Sequence, residues 1–280
     1  MQKYKYLFCN CAIEFSSDEP IASEGDFSTF LSDFSAPDYS FRIIRTNELP
    51  LKTGDAVYVS DRRKVFSDGR TKLFTAYYNT KVNEFVDYAC KIDNSELYIK
   101  SGDRISEMTV FDSINLPSVL LEKGIGILHC SFVEYQGYAI LFSGNKQIGK
   151  STQAALWKKY LGAETINGDR AALTVENGVV YANGIPFCGT SKICKNKKLP
   201  LKAVVMLSKG SSNELVRVSG AQAFMSLLGK FTYDVWNEDA LNIITALTET
   251  VVNKVPVYFY SCLKEKSAVD VLESELAKIK

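Results

Sequence analysis

Tyr138-Ala-Ile-Leu-Phe142-Ser-Gly144-Asn-Lys-Gln-Ile-Gly149-Lys150-Ser151-Thr-Gln-Ala-Ala-Leu-Trp157 is the stretch on which the fold turns. The apolar run 138–142 predicts a strand, and 151–160 predicts a helix with Leu156, Trp157 and Tyr160 along its apolar stripe. Between them, 144–151 satisfies G-x-x-x-x-G-K-[ST] in the strand–loop–helix setting that gives this pattern its meaning. In such a loop the backbone N–H groups of Gly144, Asn145, Lys146, Gln147, Ile148 and Gly149, with those of the first helical turn through Thr152, converge on phosphate oxygens. The helix dipole adds its favour for negative charge. Lys150 then reaches the β- and γ-phosphates, and the Ser151 hydroxyl meets a divalent metal. Lys146 and Gln147 depart from the usual pattern, in which small residues are commoner.

Working outward, the chain from 125 onward alternates strand and helix signals, which points to an α/β sheet. Residues 126–134 read as a strand carrying His129, the chain's single histidine. A lone histidine on an apolar strand is either a core residue or a ligand and proton carrier. Downstream, Thr165-Ile-Asn-Gly-Asp169-Arg170 reads as a strand ending at Asp169, a carboxylate at the strand end where α/β sheets gather ligands. Arg170 either braces a phosphate or pairs with Asp169. Segments 172–176 and 179–182 form a hairpin about Asn177-Gly178. Strands are expected at 203–207 and 255–262, and helices at 221–228, 239–252 and 267–279. The lysine-rich stretch 190–198 is either a solvated loop or a lid closing over phosphate.

The first hundred residues carry β-branched and aromatic segments at 6–15, 39–45, 56–60, 72–78, 84–92 and 96–100. Turn signals such as Thr53-Gly54-Asp55, Ser67-Asp68-Gly69 and Ser101-Gly102-Asp103 separate them, so a mainly antiparallel sheet is expected. Residues 107–123 read as a helix broken or restarted at Pro117 and ending at Lys123-Gly124. The expected division is a β-rich region, 1–106, before a phosphate-loop core, 107–280.

The 280 residues suffice for one large domain or two smaller ones, and 46% hydrophobic against 23% charged residues is the balance of a globular chain. A formal net charge of +1 gives no reason to expect nucleic acid or an anionic membrane as partner. No apolar run is long enough to cross a bilayer, and no secretory leader is evident at the N-terminus. Seven cysteines without CxxC pairs read as buried free thiols of a reducing cytoplasm, so a cytoplasmic location is expected.

His129-Cys130-Ser131, a second strand and then the glycine loop resemble the corresponding segment of ATP-dependent phosphoenolpyruvate carboxykinase. The order of strand, loop, helix and aspartate is similar to that of HPr kinase/phosphorylase. Ile166-Asn-Gly-Asp-Arg170, Gly184-Ile-Pro-Phe-Cys-Gly-Thr-Ser191, Val255-Pro-Val-Tyr258 and Ala268-Val-Asp-Val-Leu-Glu273 resemble small bacterial proteins related to HPr kinase. The resemblance covers about residues 120–280. It implies a carboxykinase/HPr kinase-like α/β core that binds ATP, or another nucleoside triphosphate, with Mg²⁺ or Mn²⁺. Lys150 matches its phosphate-binding lysine, Ser151 its metal-facing hydroxyl, Asp169 the second aspartate of an Asp-Asp pair, and His129 a histidine at the metal site. Gly168 stands where the first aspartate belongs, so a general base resting there is absent. The expected activity is phosphoryl transfer to a hydroxyl of a peptide, protein or small molecule, a Ser/Thr hydroxyl first. The alternatives are a nucleotide-binding regulatory module without transfer, and the reverse, phosphorylase or phosphatase, chemistry. The family includes oligomers, which makes a homo-oligomer a further expectation.

Overall fold

The computed structural model describes residues 1–69, 71–100, 102 and 104–279; the turn expected at Ser101-Gly102-Asp103 falls partly outside them. It is a mixed α/β structure with two large sheets and, among the described residues, six α-helices. The chain divides into two compact units, Met1–Val119 with Asp234–Glu238, and Leu120–Tyr233 with Asp239–Lys280.

In the first unit, turn residues cut apolar runs into β1 (Gln2–Phe8), β2 (Cys11–Ser17), β3 (Tyr39–Thr46), β4 (Ala56–Val59), β5 (Arg63–Ser67), β6 (Lys72–Asn79), β7 (Glu84–Ile92) and β8 (Glu96–Lys100). The expected single strand at 6–15 is in fact a hairpin that turns at Cys9, where φ is +56°. The sheet order is β1-β2-β3-β8-β7-β6-β5-β4. It is not purely antiparallel, because β3 runs parallel to both β2 and β8. Helix α1 (Glu107–Ser113) starts at Ser106, whose side chain accepts from the Thr109 N–H, and lays Phe111 against Tyr6, Phe8, Phe15 and Phe27. Such aromatic pairs contribute about 0.5–1.5 kcal/mol each beyond their buried area. The break before α2 (Leu116–Glu122) comes at Asn115, in the left-handed region at φ +57°, so Pro117 sits harmlessly in the first turn.

The second unit contains β9 (Gly126–Tyr135), β10 (Tyr138–Ser143), α3 (Lys150–Leu161), β11 (Glu164–Asn167), β12 (Arg170–Glu176), β13 (Val179–Asn183), β14 (Lys198–Lys209), β15 (Glu214–Val218), α4 (Gly220–Leu228), β16 (Phe231–Thr232), α5 (Glu238–Lys254), β17 (Val257–Cys262) and α6 (Lys266–Leu276). Its strands follow the path β10-β9-β12-β13-β14-β17-β15, with β11 and β16 also on β9. Strand β14 is long enough to serve three neighbours. Lys198–Pro200 pairs with β13, and the remainder runs parallel to β10 and β17. One core cluster gathers Trp157 of α3 and Ala268, Val269 and Leu272 of α6 with Phe142, Val205 and Tyr260. A second gathers Ala223, Leu227, Ile244 and Leu247 of α4 and α5 with Leu128, Leu141 and Val204. Helices thus cover both faces of the parallel strands, which leaves their ends as the open place for a ligand.

Candidate functional site

The turn from β10 into α3 needs backbone conformations that side chains resist. Gly144 (φ +140°) and Gly149 (φ +116°) take two of them, and Gln147 (φ +62°) takes a third without being glycine. Gly149 is the N-cap of α3 and offers no side chain, so the first-turn N–H groups face outward from the helix start. Lys150 is nearly buried, and its Nζ donates to the carbonyl oxygens of Gly144 (3.3 Å) and Asn145 (3.2 Å). Burial pushes its pKa down, opposed by the negative charge of Asp169. Asn145, Lys146, Gln147 and Ser151 are exposed; Ile148 and Thr152 are half-buried.

Asp169 does not end a strand as expected. Strand β11 stops at Asn167, and Asp169 is the last residue of a tight turn before β12. Asn167, fully buried, builds that turn: its Oδ1 accepts from the N–H groups of Asp169 (2.9 Å) and Arg170 (3.0 Å), while its Nδ2 donates to the Ile185 carbonyl (2.8 Å). Ladder register then places Arg170 opposite His129 on β9. The His129 Nδ1 lies 3.6 Å from Asp169 Oδ1, and Arg170 Nε donates to Asp169 Oδ2 at 3.3 Å. The Arg170 guanidinium also lies 5.4 Å from the ring centre of Phe187. Desolvation and then the Lys150 charge push the His129 pKa below its ordinary value, so its imidazole is neutral at pH 7. Cys130 beside it is fully buried, and burial pushes its thiol up, away from nucleophilic use.

The structure therefore brings His129, Asp169, Arg170 and Lys150 into one electrostatic cluster. Ser151 and Thr152 lie on the first turn of α3 and make no direct contact with the Asp169 carboxylate among the described residues. Sequence reasoning missed two members. One is Asn167. The other is Lys230, whose Nζ donates to Asn145 Oδ1 at 2.8 Å and whose carbonyl accepts from the His129 N–H at 2.9 Å. Lys230 follows the end of α4, and nothing local marks it; only the pairing of β16 with β9 brings it to the loop.

Gly168 has a steric explanation. A Cβ there would stand 2.1 Å from Ser191 Oγ, so the Ser191 side chain already fills the space an acidic residue would take. The lysine-rich stretch is not a lid of free cations. Lys195 and Lys197 pair with Glu164, Lys197 also with Glu134, and Lys198 with Glu176; Lys192 has no ion pair among the described residues. Two cysteines expected as free thiols, Cys188 and Cys194, form a disulfide; Cys9, Cys11, Cys90, Cys130 and Cys262 are free.

A cavity of about 490 Å³ opens beside the glycine loop, lined by Ile148, Gly149, Gln153, Leu207, Cys262 and Leu263 among others. Gln153 donates to the Leu263 carbonyl at 3.3 Å and is fixed there. A larger cavity, about 800 Å³, belongs to the first unit and touches none of the candidate residues.

No family model matches the sequence, and no curated protein matches it. Among solved structures, the HPr(Ser) kinase/phosphatase from Coxiella burnetii is similar over 53% of this chain and 94% of its own, at 13% identity and a TM-score of 0.34. No helix of the described residues is long and apolar enough to cross a membrane.

Proposed function

We propose that the second unit is a metal-dependent phosphotransferase that takes a nucleoside triphosphate, ATP first, and passes its terminal phosphoryl group to a hydroxyl. The observation that carries this reading is the convergence of two independent pieces. One is a glycine loop with Lys150 folded over it; the other is the Asn167-built turn that sets Asp169 and Arg170 against His129.

Each residue then has a task. The loop N–H groups, Lys150 and Lys230 hold the phosphates, since charge-assisted hydrogen bonds are the strong ones. Arg170 and Lys230, the cations beside Asp169 and the loop, would stabilise the charge that builds on the equatorial oxygens during transfer. A carboxylate and a neutral imidazole 3.6 Å apart suit a divalent cation, so Asp169 and His129 would hold Mg²⁺ or Mn²⁺ together with Ser151. Such a cation supplies neutralisation of the β- and γ-phosphate oxygens. The cavity beside Gly149 is of a size to take the nucleoside. With no side chain at 168, Asp169 would serve both as metal ligand and as base, and positioning would carry most of the rate. The acceptor is a Ser/Thr hydroxyl of a peptide or protein, or a small-molecule hydroxyl.

A second reading rests on the same Gly168. If the filled space beside it removed the base altogether, the unit would be a nucleotide-binding regulatory module without transfer. Titration calorimetry with MgATP, followed by assay of the same mixture for turnover, separates the two. Wild type is expected to bind and turn over slowly, and Lys150→Ala to lose about 10- to 100-fold in affinity, the worth of one charged hydrogen-bonding group. Binding without turnover across an acceptor screen favours the module; no binding at all sinks both.

A further inference from the structure

The Cys188–Cys194 disulfide closes a ring of seven residues directly on the Gly168–Asp169 turn. Three contacts press that ring on the turn. The Gly189 backbone, at φ +55°, lies so close that a Cβ there would be 2.9 Å from both Cβ and Cγ of Asp169. The Ser191 side chain fills the space beside Gly168; its Oγ donates to the Cys188 carbonyl (2.6 Å) and accepts from the Ile193 N–H (3.2 Å). The Gly168 N–H donates to the Ile193 carbonyl (3.3 Å), one of the two bonds of the bridge that pairs Asn167 with Cys194. Beyond the ring, the Lys195 N–H donates to the Ile166 carbonyl at 2.9 Å, which anchors the downstream end whatever the state of the bond. Only the ring depends on the sulfur link. Cys188 is half-buried, whereas Cys194 is buried, so Cys188 is the more accessible of the two.

We propose that Cys188 and Cys194 are a thiol–disulfide clasp that, when closed, holds residues 189–193 against the Gly168–Asp169 turn and narrows an acceptor's approach to Asp169. The acceptor part of this statement rests on the function proposed above; the clasp does not. Opening requires a dithiol reductant. Its thiolate attacks Cys188 Sγ, the S–S bond breaks, and Cys194 leaves as a thiolate that takes up a proton. The second thiol of the reductant then resolves the mixed disulfide, leaving the reductant oxidised and both cysteines as thiols. Freed of the link, a seven-residue ring regains chain freedom, and Lys192, in the left-handed region without being glycine, relaxes.

The test is hydrogen exchange with mass-spectrometric peptide mapping of the full chain, in oxidised glutathione and in dithiothreitol. The oxidised protein should yield a linked 188–194 peptide, and reduction should speed exchange at 189–193 by about 10- to 50-fold, the entropy of so small a ring. The Cys188→Ser, Cys194→Ser double variant should exchange at the reduced rate in both buffers, and turnover should rise on reduction in wild type only. Absence of the linked peptide in oxidised glutathione, or unchanged exchange on reduction, overturns the proposal. Because exchange needs no nucleotide, loss of ATP binding would bring down the phosphotransferase reading while the exchange result still decides the clasp.

Discussion

Gln147 holds a left-handed backbone in the middle of the glycine loop, where an L side chain costs about 1–2 kcal/mol. Gln147→Gly relieves that strain but adds unfolded-state freedom, so the expected net gain is about 0.5–1 kcal/mol in urea unfolding. A loss of stability instead would mean that the exposed Gln147 side chain holds the loop. Asn167→Ala should do the opposite. It leaves the Ile185 carbonyl and two turn N–H groups without their partner, a cost of at least about 2 kcal/mol, and turnover should fall with the misplaced Asp169. Unchanged turnover in that variant would remove the turn from the proposed machinery. The contrast between these residues shows what was legible. The 144–151 loop could be read because its chemistry is local: glycines, a lysine and a hydroxyl at fixed spacing. Lys230 could not, since it acts through a partner many residues away; Asn167 makes two local bonds of the turn-building kind, but its burial and its bond to the Ile185 carbonyl come from the tertiary fold.

At the scale of elements, β11 and the stretch after Cys194 are tied by Glu164, which Lys195 and Lys197 hold down to a pKa of about 2. A carboxyl depressed on folding contributes stability above its ordinary range and loses it as pH falls toward that value. The pairs are largely exposed, so the whole contribution is under about 1 kcal/mol and shrinks in salt. Thermal midpoints of wild type and Glu164→Gln should therefore differ slightly at neutral pH and converge as pH falls below about 4.5, with convergence again in high salt. A gap that persists in acid would rule out the ion pairs as its source. Most long elements near the loop were readable from periodicity, β10 and α3 above all. Strands β5, β15 and β16 were not, being short or mixed in pattern, and neither was the parallel pairing of β3, because strand direction is decided by partners distant in sequence.

At the scale of the whole molecule, the chain passes between its two units three times, because Asp234–Glu238 belongs with the first. Asp234 is what binds that return. It accepts from Asn115 Nδ2 at 2.7 Å and from Ser118 Oγ, and burial raises its carboxyl pKa against the pull of those two donors. Asp234→Ala should cost about 1–3 kcal/mol, and hydrogen exchange should place the loss around Asn115–Ser118 rather than at the glycine loop. Equal weakening throughout would mean the two units unfold as one. The composition of the chain revealed room for two units, but not that one of them would borrow five residues from inside the other, since no linker-like stretch announces the excursion.

The fit of Ser191 beside Gly168 ties two distant positions into a single unit of inheritance. Any lineage that places an acidic residue at 168 must first, or at the same moment, shrink residue 191 or lengthen the loop that carries it. The two positions should therefore covary among natural descendants, and a laboratory library of acidic substitutions at 168 alone would meet a barrier that a library paired with 191 passes.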